Sequence, residues 1–241
     1  MNFLVILRSP ALTSRLLLLV SLLACFLTGC AKFPSTGSTT PTKRLVFTMT
    51  VAGVINPNYV YIIAMHPSTD ANPTTQGPIP IISQPWGNGF VAGTAEVFIR
   101  WDPLTSPNYI IYRFRDANML QFTQIGVPVN FRTVNPGDKI LQFEVDLNQI
   151  AASVAEAPLL QSMQVNFLTM DRVPRGNDPG TKVYDALGNT LDPGHINDFV
   201  VIPLDRSGVY DNARFSNLEP TGDTPDPDLD IADWSIEVRT R

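Results

Sequence analysis

From Lys43 to the last residues, apolar side chains recur at every second position, and that period dictates the fold class. In RLVFTMTVAG, Leu45, Phe47, Met49 and Val51 share one face while Thr48 and Thr50 take the other. GTAEVFIRWD sets Ala95, Val97, Ile99 and Trp101 against Glu96 and Arg100, and DWSIEVRT sets Trp234, Ile236 and Val238 against Ser235, Glu237 and Arg239. A period of two is the signature of a pleated strand with one buried face. NYVYIIAMH is apolar on both parities, with Tyr59, Tyr61, Ile63 and Met65 on one side and Val60, Ile62 and Ala64 on the other, so it is expected to be covered on both faces. NYIIYRFR, MLQFTQIG, VPVNFRTV, KILQFEVDL, MQVNFLTM and DFVVIPL bring the runs to ten, separated by Pro, Gly, Asn and Asp. Such a series predicts an all-β protein, a two-sheet antiparallel β-sandwich of jelly-roll or immunoglobulin-like kind, with Trp101 and Trp234 in its core.

One segment breaks the pattern. LNQIAASVAEAP offers Asn148 as an N-cap, Ile150 and Val154 at helical spacing and Pro158 as a stop, which predicts one short crossover helix between two strands. Two connections are long. The first runs from His66 to Gly93 with five prolines, and the second from Asp171 to Asp198. Within the second, KVYDALGNTL is expected to form a small hairpin turning at Gly188-Asn189. Long loops on a rigid β scaffold are where binding groups concentrate.

The amino-terminal region has a different logic. A basic start with Arg8 and Arg15 leads into the apolar run Leu16–Phe26, too short to span a bilayer, and then to Leu27-Thr28-Gly29-Cys30. That tetrapeptide resembles the lipobox of bacterial lipoproteins. The resemblance implies cleavage after Gly29, lipid on the Cys30 sulfur and acylation of the new amino terminus. It divides the chain into a signal peptide (1–29), a lipidated Cys with a Ser/Thr/Pro/Gly-rich tether (30–43) and a single sandwich domain (44–241). Cys25 is then discarded, so the mature chain has one cysteine and no disulfide, and burial alone must hold it together. The tether spans about 20 Å as a flexible coil. Lipidation at Cys30 implies an extracytoplasmic, membrane-anchored protein, and Ala31 after it, where Asp is the usual retention signal, implies delivery to the outer membrane in a diderm host.

Charge narrows the partners. Loss of the signal lowers Lys plus Arg from 17 to 15 against 22 Asp plus Glu, moving the formal net charge from −5 to −7. An acidic body argues against nucleic acid as a partner.

Three side chains of the first long loop form the candidate ligand contact. Trp86 stands between Pro85 and Gly87-Asn88-Gly89, with Asn88 in the same turn and His66 at the loop's start. A loop indole either stacks on sugar rings or folds back to plug the end of the sandwich. The acidic tail suggests a metal. Asp226, Asp228, Asp230 and Glu237 fall at positions 1, 3, 5 and 12 of an EF-hand-like calcium loop. Against calcium stand Ile231 where that loop needs glycine, Pro227 at its second position, and a strand pattern around Glu237; the competing reading is a solvated acidic loop. Two histidines, His66 and His195, and the lack of a GxSxG elbow, an HExxH pair or a phosphate-cradling glycine loop give a non-catalytic reading and no cofactor.

The body resembles the DOMON-like sandwiches that include family-nine carbohydrate-binding modules, through YVYIIAMHPSTDANP, ILQFEVDLNQI with MQVNFLTMD, and LDIADWSIEV. Members bind sugars or haem. Met65 and His66 are adjacent and cannot both face one ring, so haem is not expected. Three functions compete: a glycan-binding module, an envelope assembly protein that binds another protein, and a hydrolase whose groups meet only in space.

Overall fold

The computed structural model describes residues 43–82, 87–174 and 181–240. Their strands, numbered in chain order, make two main antiparallel sheets. The five-stranded sheet runs β13 (Gly208–Asp211), β14 (Ile231–Thr240), β1 (Lys43–Val51), β9 (Ile140–Asp146) and β8 (Asn130–Phe131). The seven-stranded sheet runs β11 (Tyr184–Ala186), β10 (Ser162–Met170), β2 (Val60–Ser68), β5 (Val97–Trp101), β6 (Tyr109–Phe114) and β7 (Phe122–Gly126). Its seventh strand, β12 (Val200–Pro203), pairs with the first half of β10, and β11 pairs with the second half. The two sheets pack face to face, as the alternation required.

The main core lies between them. Phe47 on β1, Phe143 on β9 and Trp234 on β14 meet Tyr109 on β6 and Phe167 on β10, with ring centroids 5.4–6.5 Å apart. A second core covers the other face of the seven-stranded sheet. Val60, Ile62 and Ala64 of β2, Phe98 of β5, Phe114 of β6 and Leu168 of β10 are buried there under Phe90 and Val91. The cover is the first long connection itself, whose short ribbon of β3 (Pro78–Pro80) and β4 (Val91–Gly93) lies within it. This explains why β2 is apolar on both parities and why β10 is buried along its whole length.

Because β10 faces this cover, its outward positions carry polar groups that bind loop backbone. Ser162 Oγ donates to Asp70 O, Gln164 Nε2 to Thr75 O, and Asn166 Nδ2 to both Pro78 O and Asp198 O. Asn166 Oδ1 accepts from the Leu187 amide. Each satisfied buried amide fixes a stretch of loop that has no ladder of its own.

Several expectations need correcting. VPVNFRTV contributes only the two residues of β8 to a sheet. The crossover helix α1 (Leu147–Ile150) joins β9 to β10 but is capped by Asp146, not Asn148, in a reciprocal box with Gln149. It ends before Val154, which is 76% exposed, and Pro158 lies within a separate 3₁₀ turn. KVYDALGNTL forms no hairpin: β11 pairs with β10, and only Gly188 takes positive φ.

Candidate functional site

The first loop uses its polar side chains to hold itself down. Asn88 Oδ1 accepts from the amides of Phe90 and Val91, and Nδ2 donates to Met119 O. All three bonds are internal, so Asn88 builds the cover rather than presenting a free amide. His66 sits at the end of β2 with Nδ1 3.2 Å from Glu96 Oε1, and Arg113 flanks the same carboxylate at 3.7 Å. Trp86 lies outside the described residues, as does Cys30.

The structure does not bring Asp226, Asp228, Asp230 and Glu237 to one point. Asp226 accepts from the Tyr59 hydroxyl at 2.6 Å and the Asp228 amide, and Asp228 accepts from the Val54 amide. Both Asp230 oxygens take the Gly222 amide. β14 runs extended from Ile231, which carries Glu237 about 20 Å from Asp230, whereas a calcium loop must curl back.

Glu237 instead belongs to the solvent face of the five-stranded sheet. Register aligns Val209, Glu237, Val46, Glu144 and Asn130 in one row across all five strands, next to a row of Ser235, Thr48 and Gln142. These residues, with Arg132 and Arg239, line an open groove of about 300 Å³. Arg44 donates to Glu144 at 3.1 Å, Arg239 to Glu237 at 2.6 Å, and Gln142 Nε2 to Thr48 Oγ1 at 3.0 Å. The Arg239 bond holds Glu237 below the usual carboxylate range. Planar amides, carboxylates and guanidinia, held by one another on a rigid sheet, form an array of directional donors and acceptors.

A second polar assembly is buried. Asp185 on β11 and Glu219 and Asp223 in the loop before β14 bring carboxylate oxygens within 4.8 Å of one another, and it is the one such trio of His, Cys, Asp or Glu among the described residues. Sequence reading missed it because Asp185 is far from the other two in the chain, and no spacing rule links them. Asp185 accepts from the amides of Ala186 and Ile231. Thr190 donates to Asp223 Oδ2 through its amide at 2.7 Å and its hydroxyl at 2.9 Å. Asp223 Oδ1 and both Glu219 oxygens lack a well-aligned hydrogen bond among the described residues, the Gly188 amide lying near Glu219 and the Asp230 carboxyl near Asp223. Burial, then the neighbouring Asp185 and Asp223 charges, push Glu219 up to about 12, and burial also raises Asp185 well above its ordinary range.

A buried cation lies elsewhere, under the loop cover, with the Asp171 charge acting on it. Lys182 Nζ donates to Gly89 O at 2.9 Å and stands 3.8 Å from Met170 Sδ. Burial lowers this ammonium to about 8. Between that value and the ordinary 10.5 the unfolded chain holds the proton and the folded chain does not, so wild type gains stability as pH rises through this window. Lys182→Met abolishes that gain. The stability difference between the two proteins therefore shifts toward wild type by about 2 kcal/mol from pH 7 to pH 10. Urea unfolding at the two pH values checks it, and a constant difference contradicts the buried-charge account.

Compared with protein-family models, curated proteins and solved structures, the chain gives no match, so the reading of these sites rests on their geometry.

Proposed function

We propose that the protein is a lipid-anchored, extracytoplasmic binding module without catalytic activity, and that the groove on the five-stranded sheet takes a polyhydroxylated ligand such as a glycan segment. The observation that carries the ligand class is the row of Asn130, Glu144 and Glu237 beside Thr48, Gln142 and Ser235. Sugar hydroxyls each donate and accept, and a rigid lattice of amide, hydroxyl and carboxylate groups matches them without rearrangement. Anchoring is supported by the lipobox-like Leu27-Thr28-Gly29-Cys30 and the polar stretch that follows it.

A second reading has its own observation. β7 is an edge strand of the seven-stranded sheet, with Ile125 exposed on it and Leu120 exposed just before it. An apolar edge with no strand partner among the described residues suits addition of a strand from another envelope protein.

One experiment separates these. The full chain, its Gln142→Ala/Glu237→Ala variant and Trp86→Ala are applied to an array of bacterial and plant polysaccharides, and Cys30→Ser is fractionated after a salt wash. The groove variant is expected to lose at least about tenfold in affinity, since two planar hydrogen-bonding groups are removed. Cys30→Ser is expected in the soluble fraction. Binding lost only in Trp86→Ala moves the site to the loop, and no glycan bound by any form favours the edge-strand reading. Retention of Cys30→Ser in washed membranes removes the lipid anchor.

A further inference from the structure

The buried carboxylates stand out because of what surrounds them. Asp185, Glu219 and Asp223 are all buried, and Asp230, also buried, is near enough to act on Asp223. No Lys, Arg or His forms an ion pair with any of the four among the described residues, and the charges acting on Asp185, Glu219 and Asp230 are those of neighbouring acids. Such a concentration of like charge out of water is strongly unfavourable without a counter-charge.

Glu219 sharpens the point. It is 1% exposed, neither of its oxygens has a well-aligned hydrogen bond although the Gly188 amide lies close, and one of them faces the Asp185 and Asp223 oxygens. Its backbone is held from behind: Asn212 Nδ2 donates to Glu219 O at 2.7 Å, and the Glu219 amide donates to Asn212 Oδ1 at 2.9 Å. Asp185 and Asp223 are likewise oriented by backbone amides, and the Asp223 side chain also meets the Asp230 carboxyl. The Asp185 and Asp223 carboxylates are thus oriented by bonds from outside the trio, the Glu219 backbone is fixed behind it, and oxygens of all three converge on one point.

We infer that Asp185, Glu219 and Asp223 bind a calcium ion, which fastens the edge of the seven-stranded sheet at β11 to the loop that feeds β14 of the other sheet. The span fits. Calcium–oxygen bonds of about 2.3–2.6 Å place opposed ligand oxygens about 4.6–5.2 Å apart, so oxygens within 4.8 Å of one another can all touch one ion. The donor set is oxygen only, which selects a hard cation over zinc or copper, and a buried, carboxylate-rich site suits calcium better than magnesium, which keeps several waters. The ion joins direct bonds that already cross here, from the Ile231 amide to Asp185 and from Thr169 Oγ1 to Leu229 O.

The test uses the full chain in detergent, stripped with a chelator and titrated with calcium chloride by calorimetry and thermal unfolding. One calcium per chain is expected, with Tm raised by roughly 5–10 °C near saturation. Glu219→Gln and Asp223→Asn each weaken binding at least about tenfold, while Asp228→Asn, altered in the neighbouring loop, keeps it. Glu219→Gln is nearly isosteric, and Asp223→Asn stands in should it fail to fold. The inference is overturned if wild type gives neither heat nor a Tm shift at about 10 mM calcium. Binding kept in both site variants, or lost only in Asp228→Asn, overturns it too. An equal shift with magnesium overturns the assignment to calcium.

Discussion

Phe167→Ala is expected to lower the unfolding free energy by about 3–5 kcal/mol, a large part of the whole stability of a domain this size. Phe167 is fully buried on β10, and its ring lies 6.5 Å from Phe47 on β1 and 5.6 Å from Trp234 on β14. One side chain from the seven-stranded sheet therefore contacts two strands of the other. Truncation loses apolar burial and leaves a cavity that the sheets cannot close, since both backbones are pinned by their ladders. Phe167→Leu keeps most of the volume and costs about half as much or less. Urea unfolding followed by tryptophan fluorescence reads both variants, because Trp234 is in contact with the site. A loss below about 1.5 kcal/mol for the alanine variant contradicts a core that depends on this ring.

The sandwich was legible because burial of one sheet face writes itself into the chain at every second residue. β1 and β14 follow that alternation, with Leu45, Phe47, Met49 and Val51 of β1 turned inward, while β5 buries Phe98 on its other face too. The doubly apolar β2 announced a second covered face, although what covers it did not show. β3, β4 and β13 are too short for a period to emerge, and two of them lie in a proline-rich loop. The helix cap was misplaced by two residues because Asp146 and Asn148 are both good caps; the choice went to Asp146, which ends β9 and pairs reciprocally with Gln149.

Sites were less legible, and for a different reason. Asp226, Asp228 and Asp230 alternate as ligands of a calcium loop would, yet each is claimed by a nearby amide or hydroxyl. The three carboxylates that do converge come from β11 and from the loop before β14, brought together only when the two sheets close. The groove had the opposite problem. Its Glu237, Arg239 and Ser235 read as an ordinary solvent face of β14, and only the register with β1, β9, β8 and β13 turns them into rows. Local pattern reports which face of a strand is wet. It carries no information on which wet faces lie side by side.

Gly188→Ala is expected to cost at least about 3 kcal/mol, well beyond what lost backbone freedom explains. Gly188 has φ of +111°, where a side chain is strained, and a Cβ built there falls 1.9 Å from the carbonyl oxygen of His195. That oxygen is backbone, so relief requires the loop 187–198 to move. The loop has little room. The Leu187 amide is bound by Asn166 Oδ1, Asp198 O by Asn166 Nδ2, and Thr190 by Asp223. Displacement breaks contacts to β10 on one side and disturbs the carboxylate cluster on the other. Gly137 supplies the comparison, since its φ of +91° is similarly strained but open space surrounds its would-be Cβ. Gly137→Ala should cost only about 1–2 kcal/mol of strain. Thermal and urea unfolding of the two variants side by side separate the backbone clash from the dihedral penalty, and equal losses would show that the approach to His195 contributes nothing.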